Sequence, residues 1–307
     1  MNDITKQLLS LISDFDPETG FTGAFNIRED TGCAGRQNSR NIEISSKSDK
    51  PGIDIRVKPG TKGETVYIPA CVTHSKVDDL VYNDFYIGAG ADVVVVAGCG
   101  VHIDGEESSQ HNGIHRFYLE PGARVLYREK HIGTGEGSGQ RIINPQTYVE
   151  LQEGSYLEMD TTQIKGVDST QRLTTGVVGL RARLVVREKL MTHGEQYAET
   201  NFEVDLNGED SGADLISRSV AKGRSKQLFR SRINGNVRCT GHSACDAIIM
   251  DEGTVSAIPE LTANDLDAAL IHEAAIGKIA GEQLTKLMTL GLTAEEAEAK
   301  IIEGFLK

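Results

Sequence analysis

Hydrophobic and polar residues alternate in short bursts along most of the chain. Ile53, Ile55 and Val57 share one side of 53–57 with Asp54 and Arg56 on the other, and Asn41-Ile42-Glu43-Ile44 alternates likewise. Period-two alternation over a few residues predicts half-buried strands. The same grammar runs through 65–69, 92–97, 124–128, 156–159, 182–187 and 212–217, where Val, Leu and Ile alternate with charged or polar residues. From about 85 to 255 no segment carries a long 3.6-residue stripe, so crossover helices are not expected there.

Turns punctuate these runs at a fixed interval. Gly90-Ala91-Asp92-Val93, Gly122-Ala123-Arg124-Val125 and Gly154-Ser155-Tyr156-Leu157 place their glycines 32 residues apart, twice. Such a cadence marks stacked β units, each burying its face against its neighbours. It predicts a parallel β-helix over 51–262, with a β-sandwich as the alternative wiring. The glycines of 133–139 fit neither a phosphate-binding loop nor a dinucleotide fingerprint and read as a flexible turn.

The ends read differently. Leu8, Leu9, Leu11, Ile12 and Phe15, interrupted by Ser10, Ser13 and Asp14, predict a short amphipathic helix within 1–15, ended by Asp16-Pro17-Glu18-Thr19-Gly20. The first 50 residues thus form a helix and an extended segment. After about 262 the composition shifts, and 268–304 reads as helical. Ile276, Ile279, Ala280, Leu284, Leu287 and Met288 form one stripe, Gly291 stops it, and Thr293 caps a second helix carrying Ala297, Ile301, Ile302 and Phe305. This tail, 263–307, would either seal the β body or dock a partner.

Composition narrows the partners. A formal net charge of -13 with no basic tract argues against nucleic acid. The apolar runs are too short to cross a bilayer and the start does not resemble a secretory signal, so the cytoplasm is expected. Cys33, Cys71, Cys99, Cys239 and Cys245, odd in number and sparse, suit free thiols in a reducing compartment.

Two groups of residues carry candidate chemistry. In the first, Cys245, His272 and Glu273 offer a thiolate, an imidazole and a carboxylate, a mixture suited to iron or zinc. No spacing there matches a closed zinc site, and His242 beside Cys245 has the standing of a chance pair. A strand over 238–246 would point Cys239 and Cys245 the same way, unless Gly241 makes a bulge. In the second, Cys71, His74, Cys99, His102, His111 and His115 crowd into 45 residues. Cys99 and His102 are close enough in sequence to share a metal, whereas His111 and His115 would meet only on a helix. Buried core thiols and solvated histidines are the structural alternative for both groups. A β-helix alone would also suit a carbohydrate-active enzyme with paired acids, although the lack of Trp counts against sugar stacking.

The ordered motifs near the C-terminus resemble a known family. Gly241-His242-Ser243-Ala244-Cys245-Asp246-Ala247, Ile271-His272-Glu273-Ala274-Ala275-Ile276-Gly277-Lys278-Ile279, Glu282-Gln283-Leu284, Leu290-Gly291-Leu292-Thr293-Ala294-Glu295-Glu296-Ala297 and Ile301-Ile302-Glu303-Gly304-Phe305 look like the SufB/SufD family, scaffold subunits of the SUF iron–sulfur cluster assembly machinery. The resemblance is strong over 160–307 and looser through Tyr82-Asn83-Asp84-Phe85-Tyr86.

It implies a right-handed parallel β-helix with flanking helices, and a non-enzymatic scaffold for a transient iron–sulfur cluster within an ATPase-driven complex. A SufC-like ABC ATPase would bind the C-terminal helices, with Leu284, Leu287, Leu292, Ile301 and Phe305 in that region, and this chain would bind no nucleotide itself. Residues matching Cys245 and Glu273 serve cluster assembly in SufB, and SufD contributes the histidine matching His272. Their joint presence implies a homodimer, served by a sulfur donor and by apo-protein acceptors. The chain is shorter than the usual SufB and lacks its N-terminal Cys-x-x-Cys motif; Cys99 and Cys71 are the candidates for sulfur receipt, and no motif points to flavin. A metal-free partner-binding scaffold is the remaining alternative.

Overall fold

A computed structural model describes residues 1–13 and 15–307; Asp14 of the predicted N-terminal helix lies outside the described residues. Helix α1 (Asp3–Ile12) precedes the strands β1 (Ala24–Glu29), β2 (Gly32–Gln37), β3 (Ile42–Ser46), β4 (Gly52–Val57), β5 (Lys62–Val72), β6 (Asp78–Ile87) and β7 (Asp92–His102). Next come β8 (Ser109–Leu119), β9 (Arg124–Thr134), β10 (Arg141–Ile143), β11 (Gln146–Leu151), β12 (Tyr156–Lys165), β13 (Ser169–Val178), β14 (Arg183–Thr192) and β15 (Tyr197–Leu206). The body ends with β16 (Ser211–Ala221), β17 (Lys226–Gly235), β18 (Cys239–Ile249), β19 (Thr254–Ala263) and β20 (Ala268–Gly277), followed by α2 (Gly281–Met288) and α3 (Ala294–Phe305).

From β5 onward the strands alternate between two ten-stranded sheets, except that β10 and β11 share one: the first is ordered β2-β1-β5-β7-β9-β12-β14-β16-β18-β20 and the second β19-β17-β15-β13-β10-β8-β6-β4-β3, with β11 also bridging β8 and β13. Beyond the antiparallel hairpins β1–β2 and β3–β4, the paired strands are parallel. This is a β-solenoid, as the cadence of turns predicts.

The rungs lengthen and shorten in a readable way. Asp92, Arg124 and Tyr156 stack 32 residues apart, then Arg183, Gly212, Thr240 and Ala269 follow at steps of 27 to 29. The connections 103–108 and 135–140 account for the longer rungs, giving way to 166–168 and 193–196. At the opposite corner Gly90, Gly122 and Gly154 hold φ of 63°, 67° and 64°. In the shorter rungs Arg181 (51°) and Asp210 (56°) occupy that left-handed position. The glycine cadence therefore stops although the corner persists.

The expected flexible turn at 133–139 is instead pinned. The Arg141 guanidinium donates to the carbonyls of Thr134 at 2.8 Å, Gly135 at 2.7 Å and Gly137 at 3.0 Å, and to Asp168 at 3.0 Å. One planar cation with several donors organises a loop that glycine content alone suggests is loose. Arg141→Ala is expected to cost about 2 kcal/mol, the scale of hydrogen bonds to a charged group. Amide exchange should accelerate around 133–141, and uniform exchange along the chain would contradict this role.

Between the sheets lies an apolar core in which Phe85 and Phe117 stack at 4.3 Å and Phe117 meets Tyr127 edge-on at 5.1 Å. Outside, α1 buries Leu8, Leu9 and Ile12 against β7. A Cβ at Gly98 would stand 2.8 Å from Ile12, and one at Gly100 2.8 Å from Leu8, so both glycines seat the helix.

One prediction is corrected. Residues 268–277 read as helical, yet they form β20, paired along its length with β18. Their small alternating residues, Ala268, Leu270, His272 and Ala274, satisfy a strand register equally well, and the neighbouring strand supplies the hydrogen bonds. Helix begins only at Gly281. Thr293 does cap α3 with a complete capping box to Glu296, and Gly291 (φ 95°) sits in the turn between the helices.

Candidate functional site

Strand β18 alternates in burial, sending Cys239, Gly241, Ser243 and Cys245 into the lumen and Thr240, His242 and Asp246 outward. Its register with β16 is continuous, so Gly241 makes no bulge. Cys245 is 1% exposed beside Ser217 of β16 and Ala274 of β20. Burial, reinforced by Glu188 and Asp246, pushes its thiol up to about 12, so it is protonated at neutral pH.

On β20, His272 falls in phase with Leu270, which packs against the core, and pairs in register with Ser243. Its Nδ1 donates to the Ser243 carbonyl at 3.1 Å, leaving Nε2 as the free lone pair. Cys245 and His272 thus share the lumen face of neighbouring strands, displaced by two residues. Glu273 faces the other way. Its side chain is 70% exposed and lies 3.6 Å from His242 Nε2 on the outer surface.

The second predicted pair separates for the same reason. Cys99 points into the lumen from β7, whereas His102 lies in the opposite phase, bonded to Thr134 and Asp104. An odd separation on one strand puts two side chains on opposite faces. His111 and His115 meet without a helix, which corrects the sequence reading. Both face the lumen from β8, and a Cβ at the intervening Gly113 would lie 3.4 and 3.3 Å from their Nε2 atoms. With Cys99, Arg28, Arg36 and Lys47 they line a cavity of about 220 Å³ at the N-terminal end of the lumen. Among the described residues no group of three or more His, Cys, Asp or Glu side chains converges into a ready metal site.

A polar spine unanticipated in the sequence runs inside the solenoid. His115 Nδ1 donates to Tyr127 Oη at 2.9 Å, and Tyr127 donates to Glu129 at 2.6 Å. Arg172 donates to Glu129 at 2.8 Å and approaches Glu188 at 3.6 Å. Glu188 accepts from Thr200 at 2.8 Å and from Ser217 at 2.7 Å. Burial opposes charge on Glu129, but His131 and Arg172 outweigh it and hold the carboxyl well below its ordinary range. Cys99 stands near the Glu129 end, its thiol pushed up by burial and then by Glu129; Cys245 stands beside Ser217 at the other. The sequence signal was a charge in phase with buried apolar positions, as in Val125, Tyr127, Glu129 and in Leu184, Val186, Glu188.

A parallel β-solenoid whose last two rungs set a thiol and an imidazole on one face and a carboxylate on the other, followed by a two-helix tail, defines a scaffold-like class of protein. Residues 81–305 match the family described as SUF system FeS cluster assembly, SufBD core domain, and the chain belongs to that family. An iron-sulfur cluster assembly SufBD family protein of Methanothermobacter thermautotrophicus is 29% identical over 262 residues, covering 83% of this chain and 62% of that protein. Its counterpart from Archaeoglobus fulgidus is 29% identical over 267 residues, covering 86% and 70%. One from Methanocaldococcus jannaschii is 25% identical over 268 residues, covering 86% and 84%. The match therefore spans less than two thirds of the first of these relatives. The carbohydrate-active alternative is set aside by the family. Among the described residues no helix is long and apolar enough to cross a membrane.

Proposed function

We propose that this chain is a scaffold on which a nascent iron–sulfur cluster, its cargo, is assembled at the C-terminal end of the solenoid. The observation that carries this reading is the shared lumen face of Cys245 and His272 in the last two rungs, where β20 ends its sheet and is largely exposed. A thiol protonated up to about 12 is a poor ligand until metal displaces its proton, so loading couples to opening of that edge.

A strand with an unpaired edge is a template for another strand. We place a second copy of the chain there, bringing two sets of Cys245 and His272 to one seam. The helical tail is the docking region for a SufC-like ABC ATPase. Helix α2 has no buried residue, and Met288 and Leu290 are 47% and 76% exposed. Leu284, Leu287, Leu292, Ile301 and Phe305 are half-buried between tail and solvent. A sulfur donor would supply the lumen through Cys99, since Cys71, the other candidate, lies under α1 on the outer face of β5 with Leu8, Leu9 and Ile12, and apo-proteins would take the finished cluster in the cytoplasm.

Anaerobic reconstitution with iron and sulfide tests the reading. Wild type is expected to develop visible absorbance and bound iron. Cys245→Ala should lose most of both, and His272→Ala a smaller share. Equal cluster content in Cys245→Ala would remove this site and leave the metal-free partner scaffold.

A further inference from the structure

The outer face of the last three rungs holds an arrangement separate from the lumen pair. Asp214 of β16, His242 of β18 and Glu273 of β20 project from adjacent parallel strands. His242 Nδ1 lies 2.8 Å from Asp214 Oδ1, and His242 Nε2 lies 3.6 Å from Glu273 Oε2. The first contact is a hydrogen bond; the second is too long for one.

The two distances assign roles. A carboxylate accepting from Nδ1–H fixes the ring and leaves Nε2 with its lone pair outward, the way metal-binding histidines are oriented by a carboxylate behind them. Two ligands at ordinary bond lengths around a tetrahedral first-row cation stand about 3.4 Å apart. The gap between Nε2 and Oε2 matches that separation. The three residues remain partly open to solvent, with side chains 37%, 34% and 70% exposed for Asp214, His242 and Glu273. A recess of about 420 Å³, lined in part by Asp214, Thr240, His242 and Ile271, adjoins them, leaving room for water to complete the coordination.

We propose that His242 Nε2 and Glu273 bind a single divalent first-row transition cation on the outer surface of the terminal rungs, with Asp214 as the positioning residue. Only the cation's identity, Fe(II), rests on the function proposed above; the geometry does not. Two protein ligands make a shallow, exchangeable site, suited to delivering a metal rather than retaining it. Glu273 then serves His242 across the outer face, and Cys245 and His272 form the separate lumen pair. The terminal strand β20 carries one ligand of each.

Zn(II) titration of the full chain under anaerobic conditions, followed through the imidazole nitrogens by NMR and by calorimetry, tests this. One cation should bind per chain and shift His242 Nε2 while Nδ1 keeps its proton. His242→Ala and Glu273→Gln should abolish that binding, and Asp214→Asn should weaken it 10–100-fold, the usual effect of losing such a carboxylate. Cys245→Ala should leave it unchanged. The three outer-face variants should keep the wild-type melting curve, since those groups are partly open to solvent, whereas Cys245→Ala, which empties a core position, should melt somewhat lower while still folded. Zinc that leaves the His242 ring unshifted in wild type, or binds equally well to His242→Ala, overturns the proposal without touching the lumen reading. Zinc binding lost in Cys245→Ala but kept in His242→Ala also overturns it, and moves the cation into the lumen. Failed cluster assembly in Cys245→Ala together with intact zinc binding is the result expected when both readings hold.

Discussion

Arg172→Met is expected to destabilise the fold by about 3–5 kcal/mol, the scale for breaking a buried ion pair from one side. Arg172 is 5% exposed and sits between Glu129 and Glu188, themselves 2% and 6% exposed. Removing the guanidinium leaves two lumen carboxylates without their shared cation, Glu188 held only by hydroxyls and Glu129 by the Tyr127 hydroxyl and the neighbouring His131. The cost comes from the stranded charges more than from the lost hydrogen bond. Replacing the whole set, Glu129→Gln with Arg172→Met and Glu188→Gln, should recover much of the loss, because the charges needing compensation are gone. Thermal and urea unfolding read both, the single variant melting roughly 5–8 °C lower. A shift in urea midpoint equivalent to less than about 1 kcal/mol in Arg172→Met would show that water already solvates the spine.

Much of the body was legible because a strand writes its two faces into alternate residues. Segments 53–57, 92–97, 124–128 and 182–187 all fall within or overlap strands, and the spacing of Gly90, Gly122 and Gly154 announced the stacking. What the spacing concealed was the shortening after Gly154, since Arg181 and Asp210 adopt the corner conformation without the glycine that advertises it. Residues 268–277 misled for a different reason. Alanine and leucine favour a helix by intrinsic propensity, but an unpaired β18 edge offers ten residues a complete ladder. The strand's existence depends on a neighbour that no local window contains.

The site was legible in its residue types and not in its faces. Cys245, His272 and Glu273 were picked out together, but assigning 268–277 to a helix hid the parity that divides them. Once β20 is a strand, consecutive His272 and Glu273 must point to opposite sides. The same parity separates Cys99 from His102 and unites His111 with His115 across Gly113. The polar spine escaped notice because Glu129, Arg172 and Glu188 lie 16 to 59 residues apart in sequence and become neighbours only when rungs stack.

Stability should also fall as the medium is acidified from about pH 6.5 toward 4, well before the carboxylates titrate. His115 is buried, and burial pushes its imidazole down to about 4, with the attraction of Glu129 offsetting only part of that. Its hydrogen bonds explain the preference: Nδ1 donates to Tyr127, and Nε2 accepts from Asn83 at 3.3 Å, so the neutral ring is the one that fits. In the unfolded chain the same histidine protonates near 6.5. Between those values the unfolded state binds the extra proton, so stability is full above 6.5 and declines as pH falls through the window. One proton over that interval amounts to about 3 kcal/mol. Glu129 and Asp79, whose carboxyls are held below their ordinary range, add a further loss that begins only below about 4.5. Urea midpoints measured at pH 7, 5.5 and 4.5 should therefore decline in wild type and flatten in His115→Gln, which retains a donor and an acceptor but cannot take the proton. Parallel declines in both proteins would place the acid sensitivity elsewhere, since only His115 distinguishes them.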